Sequence, residues 1–522
     1  MEHGGHSSAE KEIAVPHPDP DAGTLAATPS GRIRGFAASQ GVRTFLGLPY
    51  ASAPIGSLRF APPRPVAPWQ GERPATRHGA ASLQPVDLMV ATVPETAPLF
   101  LPPGIATDED CLHLDVWAPA DAQNAPVLVW FHGGGWVTGT GSASWTVGER
   151  LAADHGLVVV AVNYRLGLLG QLDLAATGDP AGVGGTNLAI LDQIAALRWV
   201  RESISAFGGD PSSVTIAGES AGAFSAIALT AAPAANGLFH RVVAQSGYAG
   251  LLRSPEEAAD LTRSALDALG IPLGPGAVTR LRALPAAAFV EAADTLGLRA
   301  LSPVVDGEVI ARDSLEELRS GAQAGLSLLV GSNRDEFRSF RQLPIGDTDG
   351  VASREDVEAL LSTAPHPERA ATLPLDGGSL DLLDAIGTDR DWRAPIRRLA
   401  REATRGGVSC YVYEFAWPTT ALGGRLGAAH QAEIPFVFGT LDAPGVGALL
   451  AGAAEDPRAL AQSAAMSRAW AAFARGGIPL LPGDVPWPAF HEDLEPVVLF
   501  EEGAAVVSTT HRVAETAVWE QA

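Results

Sequence analysis

The sequence predicts an α/β fold built on a large, mostly parallel central sheet with helices on both faces. Three observations carry that expectation. Short, uninterrupted apolar runs alternate with helical patterns from about residue 24 almost to the C-terminus. Strands of that kind belong to sheets covered on both sides. One intervening helix is explicit, because Leu188, Leu191, Ile194, Leu197, Val200 and Ile204 recur every three or four residues. The third observation is a strand–turn–helix signature at Gly218-Glu219-Ser220-Ala221-Gly222. Val214–Ala217 reads as its buried strand and the Ala-rich stretch Ala221–Thr230 as its packed helix.

Residues 1–23 are polar and end in Pro16-His17-Pro18-Asp19-Pro20-Asp21, the pattern of a disordered tail. Residues 24–522 read as a single domain, with no internal repeat and no strong linker. The clearest strands are Val127–Phe131, Val158–Val162, Val214–Ala217, Arg241–Ala244 and Leu326–Val330. Val408–Phe415, Pro496–Phe500 and Ala505–Ser508 follow. Two segments read as insertions: 87–105 is apolar and Pro-rich, and 346–405 reads as several helices. Both are candidates for loops or caps over a site.

A net charge of −23 argues against a nucleic-acid partner, since no basic stripe offsets it. Cys111 and Cys410 make no disulfide framework, and Cys410 sits in the core strand Val408–Phe415. No clustered His/Cys spacing points to a metal, and no cofactor is expected. The N-terminus lacks an apolar signal region, and no run approaches the ~20 apolar residues of a membrane span. The expectation is a cytoplasmic protein, a monomer or small homo-oligomer, acting on a small molecule.

The glycines at 218 and 222 remove Cβ atoms where strand and helix approach, so Ser220 is presented on a tight turn. A serine hydroxyl needs a base to take its proton and a third group to orient that base. Just past the strand ending at Val330 come Asp335 and Glu336, either of which has the chemistry of an orienting acid. His430 lies in a loop after the Val408–Phe415 strand. His132-Gly133-Gly134-Gly135 directly follows the Val127–Phe131 strand, where backbone N–H groups can approach a developing oxyanion. The N–H of Ala221 would add another donor.

These stretches resemble the type-B carboxylesterases, the α/β-hydrolase family of cholinesterases and bacterial para-nitrobenzyl esterases. The likeness spans roughly residues 26–515. It includes Phe45–Ala51, Leu58-Arg59-Phe60, Glu109–Leu112, Asn163–Gly167, Phe207–Pro211, Pro303–Gly307 and the segment from His430 to Gly439. The resemblance implies ester hydrolysis with Ser220 as nucleophile, Glu336 as acid and His430 as base. It implies Gly134, Gly135 and Ala221 as oxyanion donors, with Glu219 and Ser246 supporting the histidine. An amidase, thioesterase or polyester hydrolase would use the same machinery. A non-catalytic binding protein on this fold would be expected to have lost the serine or histidine.

Three positions depart from the family pattern. Phe337 stands where glycine usually follows the acid, Gln171 replaces a common phenylalanine, and Cys111 lacks its usual disulfide partner near Gln84-Pro85. Trp136 and Trp417 are candidates for lining the pocket. His132 reads as a structural partner of the glycine loop. The histidine base is expected to titrate near ~6.5 if unperturbed.

Overall fold

The computed structural model describes residues 24–297, 301–342, 353–373, 375 and 378–520. The expected N-terminal tail lies outside the described residues. Among those described, one sheet of eleven strands forms the centre. In chain order these are β1 (Phe36–Ala37), β2 (Val42–Pro49), β3 (His113–Pro119), β4 (Ala125–Phe131) and β5 (Val158–Val162). They continue as β6 (Gly209–Glu219), β7 (Arg241–Gln245), β8 (Ser327–Asn333), β9 (Ser409–Phe415), β10 (Val497–Glu501) and β11 (Ala504–Ser508). Across the sheet the order is β11-β10-β9-β8-β7-β6-β4-β5-β3-β2-β1. The middle, from β10 to β5, is parallel, and both flanks are antiparallel.

Alternation along each strand explains why the runs are apolar throughout. In β4, Val127, Val129 and Phe131 point into one core layer while Leu128 and Trp130 point into the other. β5 repeats this, with Val158, Val160 and Val162 opposite Val159 and Ala161. Successive side chains leave a strand on opposite faces, so a sheet covered on both sides needs apolar residues at every position.

Helices α1 (Leu188–Ser203) and α2 (Ala221–Leu229) cover the first face. Every residue of α2 is buried, as expected for a helix apolar all round. Helix α3 (Pro457–Gly476) covers the second face with Met466, Trp470 and Phe473. Its ends follow from sequence: Asp456 accepts the Arg458 N–H, Pro457 opens the helix, and Gly477 closes it in the left-handed region.

Two central-sheet strands differ from the expectation that long strands are apolar. β3 carries Asp115 in its middle, buried and bonded to His78 Nδ1 at 2.7 Å and to the Gly47 N–H at 2.7 Å. β2 carries Gly47 and a register shift between Phe45 and Leu48. Both interruptions hide the strand pattern. β6 is longer than Val214–Ala217 because Gly209 pairs with Ala125 ahead of a second irregularity and because Gly218 and Glu219 continue the ladder.

The parallel order brings the C-terminal ends of β4, β6, β7, β8 and β9 to one edge. Gly218 pairs with Phe131 and Ala244, Glu219 with Gln245, and Gln245 with Gly331. The loops that leave these strands are therefore neighbours despite their separation in sequence, which is where sites form on such sheets.

Candidate active site

Ser220 follows β6 directly and has φ 51°, a left-handed backbone that a non-glycine residue adopts only under constraint. The constraint is visible in its neighbours. A Cβ on Gly222 would lie 1.9 Å from the Phe131 carbonyl oxygen, and one on Gly218 would lie 2.4 Å from the Gly222 carbonyl carbon. The Ser220 N–H donates to the Gln245 carbonyl at 2.9 Å, fixing the turn to β7. The elbow is tight because three strands and a helix meet with no room for side chains.

His430 and Glu336 meet at the same edge. His430 Nδ1 lies 2.5 Å from Glu336 Oε2, with both groups buried. The other Glu336 oxygen accepts from Ser246 Oγ at 2.5 Å and from the Asn333 N–H at 2.8 Å. Asp335, the alternative acid, instead accepts the Ala428 N–H at 2.8 Å, while its own N–H donates to the Ala428 carbonyl at 3.0 Å. It ties down the loop that carries His430.

Two further carboxyl groups close around this pair. Glu219 Oε1 lies 3.1 Å from His430 Nε2, and Gln431 Nε2 donates to Glu219 Oε2 at 3.2 Å. Glu433 accepts from Gln245 Nε2 at 2.9 Å and from Asn333 Nδ2 at 2.6 Å, and Trp470 Nε1 holds Gln245 from behind at 2.9 Å. Burial pushes the Glu219 carboxyl well above its ordinary range, and burial followed by the Glu336 charge raises Glu433. Burial by itself would lower the His430 imidazole, but Glu219 and Glu336 outweigh it and raise it to about 9. The ~6.5 of an unperturbed imidazole does not apply to this ring, which has carboxyl groups against it.

The glycine loop leaves β4 beside the elbow. Gly134 and Gly135 have φ of 100° and 61°, and the Gly134 carbonyl accepts the Val137 and Thr138 N–H groups at 2.9 Å. His132 stacks on Tyr164 with centroids 4.4 Å apart and places Nδ1 2.8 Å from the Gly133 carbonyl. Burial lowers His132 to about 4, so it is a neutral donor that braces the loop. A second brace comes from Gln84 and from Asp87 at the start of the inserted segment. Gln84 pairs with both backbone groups of Gly139, at 2.7 and 3.0 Å, and Thr138 Oγ1 donates to Asp87 at 2.6 Å.

Ser220, Ala221, Gly134, Gly135, Trp136 and His430 all line one cavity of about 700 Å³. Pro85–Met89 and the pair Asp391–Trp392 also line it, so both inserted segments contribute walls. Residues 346–352, 374, 376 and 377 of the second insertion lie outside the described residues. Aromatic rings dominate: Phe224, Tyr248, Phe337, Phe340 and Trp392 join Trp136, and Phe340 packs edge-on to the His430 ring at 5.0 Å. Trp417 does not line the cavity. It packs 5.7 Å from Phe436 in the opposite core layer, with the Arg458 guanidinium over its ring, because its chain has turned to the other face of the sheet. Gln171 is buried away from the cavity as well. Cys111 and Cys410 are free and buried, with thiols pushed up to about 12, which leaves neither as a ready nucleophile. Among the described residues no group of three or more His, Cys, Asp or Glu side chains is placed to hold a metal. No helix among them is long and apolar enough to cross a membrane.

The sequence pattern does not single out Glu433, Gln245, Asn333, Gln84 or Asp87 as site residues. Glu433 had the one usable signal, its place three residues after His430.

The sheet order, with its strand-end loops gathered at one edge around a strained serine, defines an α/β-hydrolase-fold serine hydrolase. The model of the Carboxylesterase family matches residues 22–370 and 377–519, and the chain belongs to that family. Para-nitrobenzyl esterase of Bacillus subtilis (strain 168) is 35% identical over 492 residues, covering 91% of this chain and 94% of its own. Phenmedipham hydrolase of Pseudarthrobacter oxydans is 33% identical over 92% of this chain and 96% of its own. A solved structure of a Geobacillus stearothermophilus carboxylesterase superposes with TM-score 0.80 at 36% identity, covering 95% of this chain and 100% of that one. The protein is a carboxylic-ester hydrolase.

Proposed function

We propose that Ser220 attacks the ester carbonyl, that His430 is the base and acid that serves it, and that Glu336 orients the imidazole. The observation that carries this reading is the 2.5 Å contact between buried Glu336 and Nδ1 of His430, whose ring lines the same cavity as Ser220. Nδ1–H held by Glu336 leaves Nε2 as the working nitrogen. As the Ser220 oxygen bonds to the carbonyl carbon, its proton passes to His430. The carbonyl oxygen takes the negative charge and is met by the N–H groups of Gly134, Gly135 and Ala221. Such donors act where charge develops, and losing one typically costs about 10²–10³ in turnover. His430 then protonates the leaving alcohol, and a water repeats the sequence to free the acid and restore the serine.

Glu219 and Ser246 act through the central pair: Ser246 donates to Glu336, and Glu219 faces the working nitrogen of His430. The cavity's six aromatic rings favour esters with an apolar acyl or alcohol part. A fluorophosphonate probe tests the nucleophile. Peptide mapping is expected to find one phosphonyl adduct, on Ser220, and none on the Ser220→Ala variant. An adduct on another residue, with Ser220 unmodified, would overturn the assignment.

A further inference from the structure

One wall of the cavity is set by a contact that the hydrolytic steps do not use. Phe337 directly follows Glu336, and its ring lines the cavity. Against the ring lies Gly387, buried near the end of the helix Ser379–Thr388. A Cβ on Gly387 would sit 2.5 Å from Phe337 Cγ and 2.7 and 2.8 Å from its two Cδ atoms. No side chain fits at position 387 while the ring keeps its place. The ring is therefore seated against Gly387, in a notch that only glycine leaves open.

The seat is held on more than one side. The Phe337 N–H donates to Thr388 Oγ1 at 3.2 Å, and that hydroxyl donates to the Asp384 carbonyl at 2.9 Å. The Arg390 guanidinium lies 6.0 Å from the ring centroid. Arg390 belongs to the π-helical turn Asp389–Arg393, which interrupts the helical run and turns Trp392 into the same cavity. Single π-turns inside helices recur at functional sites because they redirect side chains. The ring thus has the helix and the guanidinium as neighbours and lines the cavity as well.

We propose that Phe337, with Gly387 as its backstop, sets the upper size limit of the ester that the site accepts. This rests on the reading of the cavity as the substrate site. The pair makes the limit adjustable in both directions. Shortening Phe337 gives its space to the substrate, and adding a methyl at Gly387 pushes the ring into the substrate's space. Discrimination by pocket room alone is worth about 10–200-fold per methylene-sized change.

The test measures kcat/KM on two ester series, one varying the acyl group with p-nitrophenol as the alcohol, the other varying the alcohol with an acetyl group. Each runs from a small member to a bicyclic aromatic one. In at least one series, Phe337→Ala raises the bulky-to-small ratio by about tenfold or more, and Phe337→Leu gives an intermediate value. Gly387→Ala lowers that ratio, and the double variant returns to that of Phe337→Ala, since no ring remains for the new methyl to meet. If Gly387→Ala does not fold, the graded Phe337 pair still decides the matter. Equal changes for small and bulky esters across both series would overturn the proposal, showing that Phe337 acts on Glu336 instead of on room. Failure of the site reading would look different, as hydrolysis that survives in Ser220→Ala.

Discussion

Glu219 Oε1 lies 3.1 Å from His430 Nε2, so the imidazole stands between two buried carboxyl groups, with Glu336 on its other nitrogen. Burial opposes the charged imidazole, but Glu219 and Glu336 raise it to about 9. Burial also raises the Glu219 carboxyl, and two ionisable groups this close titrate as a pair.

The sign for activity follows directly. A base must be neutral, and a raised imidazole gives up its proton only as pH climbs through the elevated value. The acid limb of kcat/KM is therefore expected well above ~6.5, where an unperturbed histidine would put it. Glu219→Gln removes one of the charges that hold the proton, and the limb moves to lower pH. A pH–rate profile that is unchanged in Glu219→Gln would refute the role given to that carboxyl group.

Glu336 and Asp335 are adjacent in sequence and make different contacts. Glu336→Gln loses the carboxylate on His430 Nδ1 and is expected to lower kcat by about 10⁴, the scale seen when a triad acid becomes its amide. Asp335→Asn weakens the hold on Ala428 and is expected to lower the melting temperature while kcat stays within about tenfold. Steady-state kinetics beside thermal unfolding separate the two, and a reversed pattern would move the acid to Asp335.

Gln84 holds Gly139 by both backbone groups, five residues after Gly134 of the glycine loop proposed to meet the oxyanion. Gln84→Ala leaves that backbone unpaired and lets the loop drift. Misplacement of about 1 Å in such a site can cost about 10²-fold, and the loss should fall on kcat with KM little changed. A rise in KM at constant kcat would mean that Gln84 shapes substrate binding instead.

Gly222 has no room for a side chain, since a Cβ would lie 1.9 Å from the Phe131 carbonyl oxygen. The obstacle is backbone on a central strand, which cannot swing aside. Gly222→Ala is expected to destabilise by more than about 3 kcal/mol in urea unfolding, at the severe end for single substitutions. Wild-type stability would show that strand and helix are less tightly apposed than described.

The features legible in sequence are those written locally. β4, β5 and the elbow announce themselves because a fully covered strand must be apolar at every position and a tight turn must spend its glycines nearby. β2 and β3 were hidden because Asp115 and Gly47, which bond to each other across the two strands, break the apolar pattern in both. Trp136 and Trp417 looked alike as large rings beside strand ends. Only the fold shows that one meets the cavity and the other is buried in the opposite layer. The choice between Asp335 and Glu336 needed the family resemblance, since adjacent carboxyl groups carry the same chemistry. The raised histidine could not be read at all, because Glu219 and His430 are brought together only by the sheet.

The measurement closest to the central claim is p-nitrophenol release from a short acyl ester by the wild-type protein and by Ser220→Ala, at matched concentration and at a pH where His430 is neutral. Loss of a hydrolase nucleophile is expected to lower kcat by about 10⁴–10⁶. Equal rates for the two proteins would contradict the account.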